Sequence, residues 1–150
     1  MKNRLMAVAA LGVVAMSVPL LAARPSNPDE EAIRKVVGYY FEGGTAGDST
    51  IVAKAFHQSA MMFFVRDTQF VQMPIFSESL ARVAAPRPAG AGPDQTRKEI
   101  VSIDMAGSAA VAKLKLTTRN AVLTDYMSLL KINGEWKIVN KIFDRNMTSS

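Results

Sequence analysis

The sequence predicts an α+β domain, and three observations predict it. Apolar residues at helical spacing are confined to the first half, strand-length runs bounded by turn residues fill the second, and Asn133-Gly134 marks a tight hairpin near the end. At 150 residues with 49% hydrophobic content, the chain suits one domain with a sizeable core.

The first 23 residues are of a different kind. Lys2 and Arg4 form a short basic start, Leu5 to Val18 is uncharged and apolar, and Leu20-Leu21-Ala22-Ala23 precedes Arg24. That layout is a secretory signal peptide over 1–23, with the domain at 24–150 and its core at 28–144; the expected location is exported, periplasmic or secreted. Cutting after Ala23 places Leu21 where a smaller residue is usual, so a membrane contact is expected only if the segment stays uncleaved.

A helix starts near Pro28. Ser26-Asn27 offers a capping side chain, proline is tolerated at the first helical position, and Asp29, Glu30 and Glu31 favour the positive end of the helix dipole. Ile33, Val36, Val37, Tyr40 and Phe41 recur at spacings of three and four and form one buried stripe. Gly43-Gly44 is the expected exit from the helix. Asp48 caps a second, shorter helix to about Phe56, with Ile51, Val52, Ala55 and Phe56 inward.

Ala60 to Val65 reads as a buried strand, continued by Thr68 to Met73 after a bend at Arg66-Asp67. Pro74 opens a helix carrying Ile75, Phe76, Leu80 and Val83, and Ala85 to Thr96 is a loop rich in proline and glycine. Four strands follow, Lys98–Ala106, Ala109–Thr118, Ala121–Ile132 and Glu135–Asp144, with turns at Gly107-Ser108, Arg119-Asn120 and Asn133-Gly134. In the third, alternation sets Asp125, Met127 and Leu129 against Tyr126, Ser128 and Leu130. In the fourth it sets Trp136, Ile138, Asn140 and Ile142 against Lys137, Val139, Lys141 and Phe143. Apolar residues on both faces imply cover on both, helices on one and a second subunit on the other.

Several functions are excluded by residue content. Without cysteine there is no disulfide framework and no lipid attached through a cysteine. One histidine and scattered carboxylates offer no metal-ligand cluster, so no metal or cofactor is expected. The formal net charge of +5 includes Lys2 and Arg4, leaving a mild excess on the domain. Lys98, Lys113, Lys115, Lys131, Lys137 and Lys141 mostly alternate along strands, which reads as a solvated face and not as a nucleic-acid stripe.

The order of parts, the Tyr40…Gly47-Asp48 turn, the Phe56-His57 step and above all "TDYMSLLKINGEWKIVNKIFD" from Thr124 to Asp144 resemble the nuclear transport factor 2-like superfamily. More narrowly, they resemble its branch named putative lumazine-binding proteins, over nearly all of Pro28 to Asp144. The resemblance implies a cone-shaped, curved antiparallel sheet packed with about three helices, enclosing a pocket open at one end, and a homodimer through the sheet.

The superfamily includes ketosteroid isomerases, and alignment on Gly47-Asp48 and the last hairpin puts Tyr40 and Asp125 at the two hydrogen-bond donors of their oxyanion hole. The proton-shuttling aspartate corresponds to Phe64, which has no proton to move; Asp67 is the nearest substitute. An oxyanion hole without a base does not run that isomerisation. The reading is therefore an exported binder of a small apolar or aromatic ligand in an enclosed pocket, with Tyr40, Asp125, Phe64, Met62, His57 and Met127 as candidate ligand contacts. An isomerase, cyclase or hydratase is the enzyme alternative, and a dimeric interaction module with a self-filled pocket is the third.

Overall fold

The computed structural model describes residues 27–86 and 94–148. The predicted signal peptide and residues 87–93 of the predicted loop lie outside the described residues. Among the described residues no helix is long and apolar enough to cross a membrane.

Helix α1 spans Pro28–Ala46; the Asn27 side chain caps it, accepting from the Asp29 amide at 3.0 Å. It ends one turn later than expected, with Gly47 in the left-handed region at φ 70° and its amide bonded to the Gly43 carbonyl. Gly43 is thus inside the helix and buried, because α1 and α2 (Ser49–Ala55) cross there. A Cβ on Gly43 would lie 2.6 Å from both the Val52 amide nitrogen and its side chain, so glycine is required for close approach and not for exit. Asp48 caps α2, its carboxylate accepting from the amides of Thr50 at 2.8 Å and Ile51 at 3.3 Å.

Strand β1 (Phe56–Arg66) begins earlier than predicted. The following segment does not continue it but turns back as β2 (Gln69–Pro74), in antiparallel pairing with β1. Asp67 and Thr68 make the two-residue turn with φ 48° and 71°, the positive values such hairpins require. After Pro74 come a π-helical turn, Ile75–Ser79, and the short helix α3, Leu80–Ala84. Then β3 (Arg97–Ala106), β4 (Ala109–Thr117), β5 (Ala121–Ile132) and β6 (Glu135–Met147) form the expected meander, with Asn133 and Gly134 both at positive φ.

The six strands make one sheet in the order β2-β1-β6-β5-β4-β3. Every ladder is antiparallel except β1 with β6, a parallel pairing that joins the early hairpin to the last strand of the meander. The core lies between the helices and the inner sheet face, where Ala112, Leu114, Met127, Leu129, Trp136 and Ile138 meet Ile33, Val37, Val52 and Ile75. Trp136 also anchors α1 to the last hairpin: its indole N–H donates to Asp29 Oδ1 at 3.0 Å, and Lys131 Nζ reaches the same oxygen at 2.7 Å. These two donors, Lys131 foremost, hold the Asp29 carboxyl below the usual carboxylate range.

The outer sheet face is apolar in part. Val65, Phe70, Val111, Tyr126, Leu130 and Ile142 are exposed, and the Phe63 and Phe70 rings stack at 5.7 Å.

Candidate functional site

The inward stripe of α1 delivers Tyr40 to the inner face of the sheet, where three polar groups meet. Tyr40 O–H donates to Asp125 Oδ2 at 2.8 Å, Lys141 Nζ donates to the Tyr40 oxygen at 2.8 Å, and Lys141 lies 3.0 Å from Asp125 Oδ2. Asp125 is fully buried and Lys141 is 8% exposed. A buried ion pair survives only when its groups are mutually bonded, and this one is, except for Asp125 Oδ1, which has no hydrogen-bond partner among the described residues.

Lys141 was missing from the predicted site, and the reason is one residue of register. Leu129 pairs with Ile138 but Ser128 pairs with Asn140, so Val139 is extra and the strand's parity flips there. Trp136 and Ile138 point inward before the bulge; Lys141 and Phe143 do so after it, while Ile142 is left outside. The alternation read from sequence placed Lys141 on a solvated face. The tertiary register buries it.

Above Tyr40 and Lys141 lies a cavity of about 580 Å³ between the helices and the sheet. Phe41, Val52, Phe56, Ile75, Val83, Leu116 and Leu123 give it apolar walls. Asp94, Thr96 and Lys98 line one side, and the exposed Arg145 marks its mouth. Lys98 is held by Asp94 at 3.0 Å and the Phe41 carbonyl at 3.1 Å, and also bonds Thr45. Burial would raise the Asp94 carboxyl, but hydrogen bonds from Thr96 and Lys98 outweigh it and hold the group well below its ordinary value.

Of the six predicted contacts only Tyr40 lines this cavity. Asp125 lies behind Tyr40 and Lys141, and Met62 and Met127 belong to the packed core. His57 sits at the start of β1, where Nδ1 accepts from the Ser59 amide at 3.2 Å. Phe64 lines a second concavity of about 470 Å³ with Phe63, Phe70, Tyr126 and Ile142; its ring packs on Phe143 at 4.8 Å and under Arg66 at 5.2 Å. Asp67, the nearest substitute base, is exposed in the β1–β2 turn. Lys98, Asp94 and Arg145 were missed because they come from segments far apart in sequence. Their only local signal is the four-residue spacing of Asp94 and Lys98.

Burial pushes the Tyr40 hydroxyl up to about 12; the Lys141 ammonium pulls it back only in part. For Lys141 burial acts downward, but the Tyr40 oxygen and the Asp125 carboxylate overcome it and keep the ammonium above the ordinary lysine value. Both raised values favour the protonated forms in the folded state. Their contribution to stability is therefore complete below about pH 10 and is lost as pH rises toward 12. Ultraviolet titration of a Tyr39→Phe, Tyr126→Phe variant should show its phenolate step near pH 12; a step at the ordinary value of 10 would mean that Tyr40 is solvated.

The chain matches the family model described as putative lumazine-binding over residues 28–144. Among solved structures it is similar to an NTF2-like protein of unknown function from Shewanella baltica, at 29% identity and a TM-score of 0.70, covering 83% of this chain and all of that one. A second NTF2-like protein of unknown function, from Methylobacillus flagellatus, is 25% identical with a TM-score of 0.69 over 82% of this chain and 96% of its own. A domain of unknown function with a cystatin-like fold from Nostoc punctiforme shares the fold at 14% identity, with a TM-score of 0.65 over 83% of this chain and 81% of its own. No curated protein matches the chain. A Tyr–Lys–Asp cluster under an apolar cavity, on a curved sheet covered by three helices, thus belongs to a chain of the putative lumazine-binding family with the NTF2-like fold.

Proposed function

We propose that the mature domain is an exported protein that binds a small, largely apolar molecule in the cavity above Tyr40 and Lys141, without turning it over. The observation that carries this is the cavity itself: about 580 Å³ of space with apolar walls and a few polar groups on its floor, one side and mouth is the usual form of a small-molecule site. Family membership supports a ligand-binding role, and the character of residues 1–23 supports export. The exposed apolar residues on the outer sheet face support a homodimer, which sedimentation velocity reads directly.

Binding is favoured over isomerisation by the hydrogen bonds. The Tyr40 proton is committed to Asp125, and Asp125 accepts from both neighbours, so the pair does not form two donors aimed at an oxyanion. Phe64 supplies no base. A self-filled interaction module would lack a cavity of this size.

Fluorescence titration with the uncharged probe N-phenylnaphthylamine tests the reading. The wild-type protein should enhance its emission at a saturable site, and Leu123→Trp, which adds bulk to the cavity wall, should abolish that binding. Undiminished binding in Leu123→Trp places the probe elsewhere and removes the cavity from the function.

A further inference from the structure

The cavity is surrounded by more positive charge than its own carboxylates neutralise. Lys98, Lys141 and Arg145 line it, against Asp94 on the wall and Asp125 behind the floor. Lys98 is paired with Asp94 and Lys141 with Asp125. The Arg145 guanidinium makes no hydrogen bond or ion pair with the described residues.

Strand pairing fixes where this unpaired guanidinium stands. Arg145 is opposite Leu123, and Leu123 is opposite Leu116, so one rung of β4, β5 and β6 carries two apolar wall residues and a cation at its end. Lys141 lies four residues deeper on the same inward-facing stretch of β6, beyond Phe143. A molecule seated against Leu116 and Leu123 therefore meets apolar surface along its body and a fork of N–H donors at the mouth. Guanidinium keeps its charge at all working pH and matches a carboxylate or sulfonate with two parallel bonds.

Resting on the reading of the cavity as a ligand site, we infer that the ligand is an amphipathic organic acid: its apolar body fills the cavity and its single anionic group is held by Arg145. One negative charge balances the one cation lining the cavity that has no partner among the described residues. Because Arg145 is exposed and hydrated in the free protein, the anionic group gains about two- to fivefold in affinity rather than the larger factor of a dry ion pair, and the gain shrinks with added salt.

The matched probes are N-phenylnaphthylamine and anilinonaphthalene sulfonate, which share one ring skeleton and differ by the sulfonate. Fluorescence titrations of the wild-type protein, Arg145→Gln and Leu123→Trp give the ratio of their affinities. The expected result is a preference of about two- to fivefold for the sulfonate in the wild-type protein, collapsing in Arg145→Gln and in high salt. If Leu123→Trp abolishes both probes but Arg145→Gln retains the preference, the acid specificity is overturned while the cavity reading stands. If Leu123→Trp leaves both bound, as it would were they seated in the second concavity that Arg145 also borders, both readings fall. Failure of both probes to bind the wild-type protein has the same consequence.

Discussion

Asp125→Ala is expected to cost the fold about 3–5 kcal/mol, read as a lowered midpoint in urea denaturation with an unchanged slope. The loss comes less from the missing attraction than from what is left behind: Lys141, 8% exposed, would keep a charge in the core with the Tyr40 oxygen as its one hydrogen-bond partner among the described residues. A double replacement, Asp125→Leu with Lys141→Met, should recover most of the loss, since apolar residues of similar volume replace buried ion pairs at little cost. Asp125 Oδ1 has no hydrogen-bond partner among the described residues, which lowers the net worth of the pair and favours that recovery. A cost below about 1 kcal/mol for the single substitution would mean that Lys141 reaches water, and the polar floor of the cavity would have to be redrawn.

Gly43→Ala is the second large effect, expected to destabilise by about 1–3 kcal/mol although alanine is the better helix former by about 1 kcal/mol. Its new methyl would meet the Val52 amide nitrogen at 2.6 Å and the Asp48 carbonyl oxygen at 2.8 Å. Both are backbone atoms of the turn into α2, so relief requires the two helices to move apart. Val52 and Phe56 line the cavity from this side, and the same variant should change probe binding. Gly44 tests the argument from the neighbouring position: its nearest added contact is Lys98 Nζ at 3.9 Å, and Gly44→Ala should be neutral or stabilising. Equal behaviour of the two variants would refute close helix packing as the reason for Gly43.

What could be read directly from the chain was local. Asn27 and Pro28 announce α1, Asn133-Gly134 announces the last hairpin, and the split of Asp125 and Met127 from Tyr126 follows from alternation alone, because β5 is regular along that stretch. The motif from Thr124 to Asp144 carried the family and, through it, the fold. Tertiary structure decided the rest. Parallel pairing of β1 with β6, the return of β2 and the burial of Lys141 depend on register between distant strands; a single extra residue at Val139 reverses which side chains face inward, and nothing in its own neighbours marks it. The cavity is likewise a property of no segment, since its walls come from every helix and from strands far apart along the chain. Hydrophobic spacing records which side of an element is buried against something; only the packed elements determine against what, and where space is left between them.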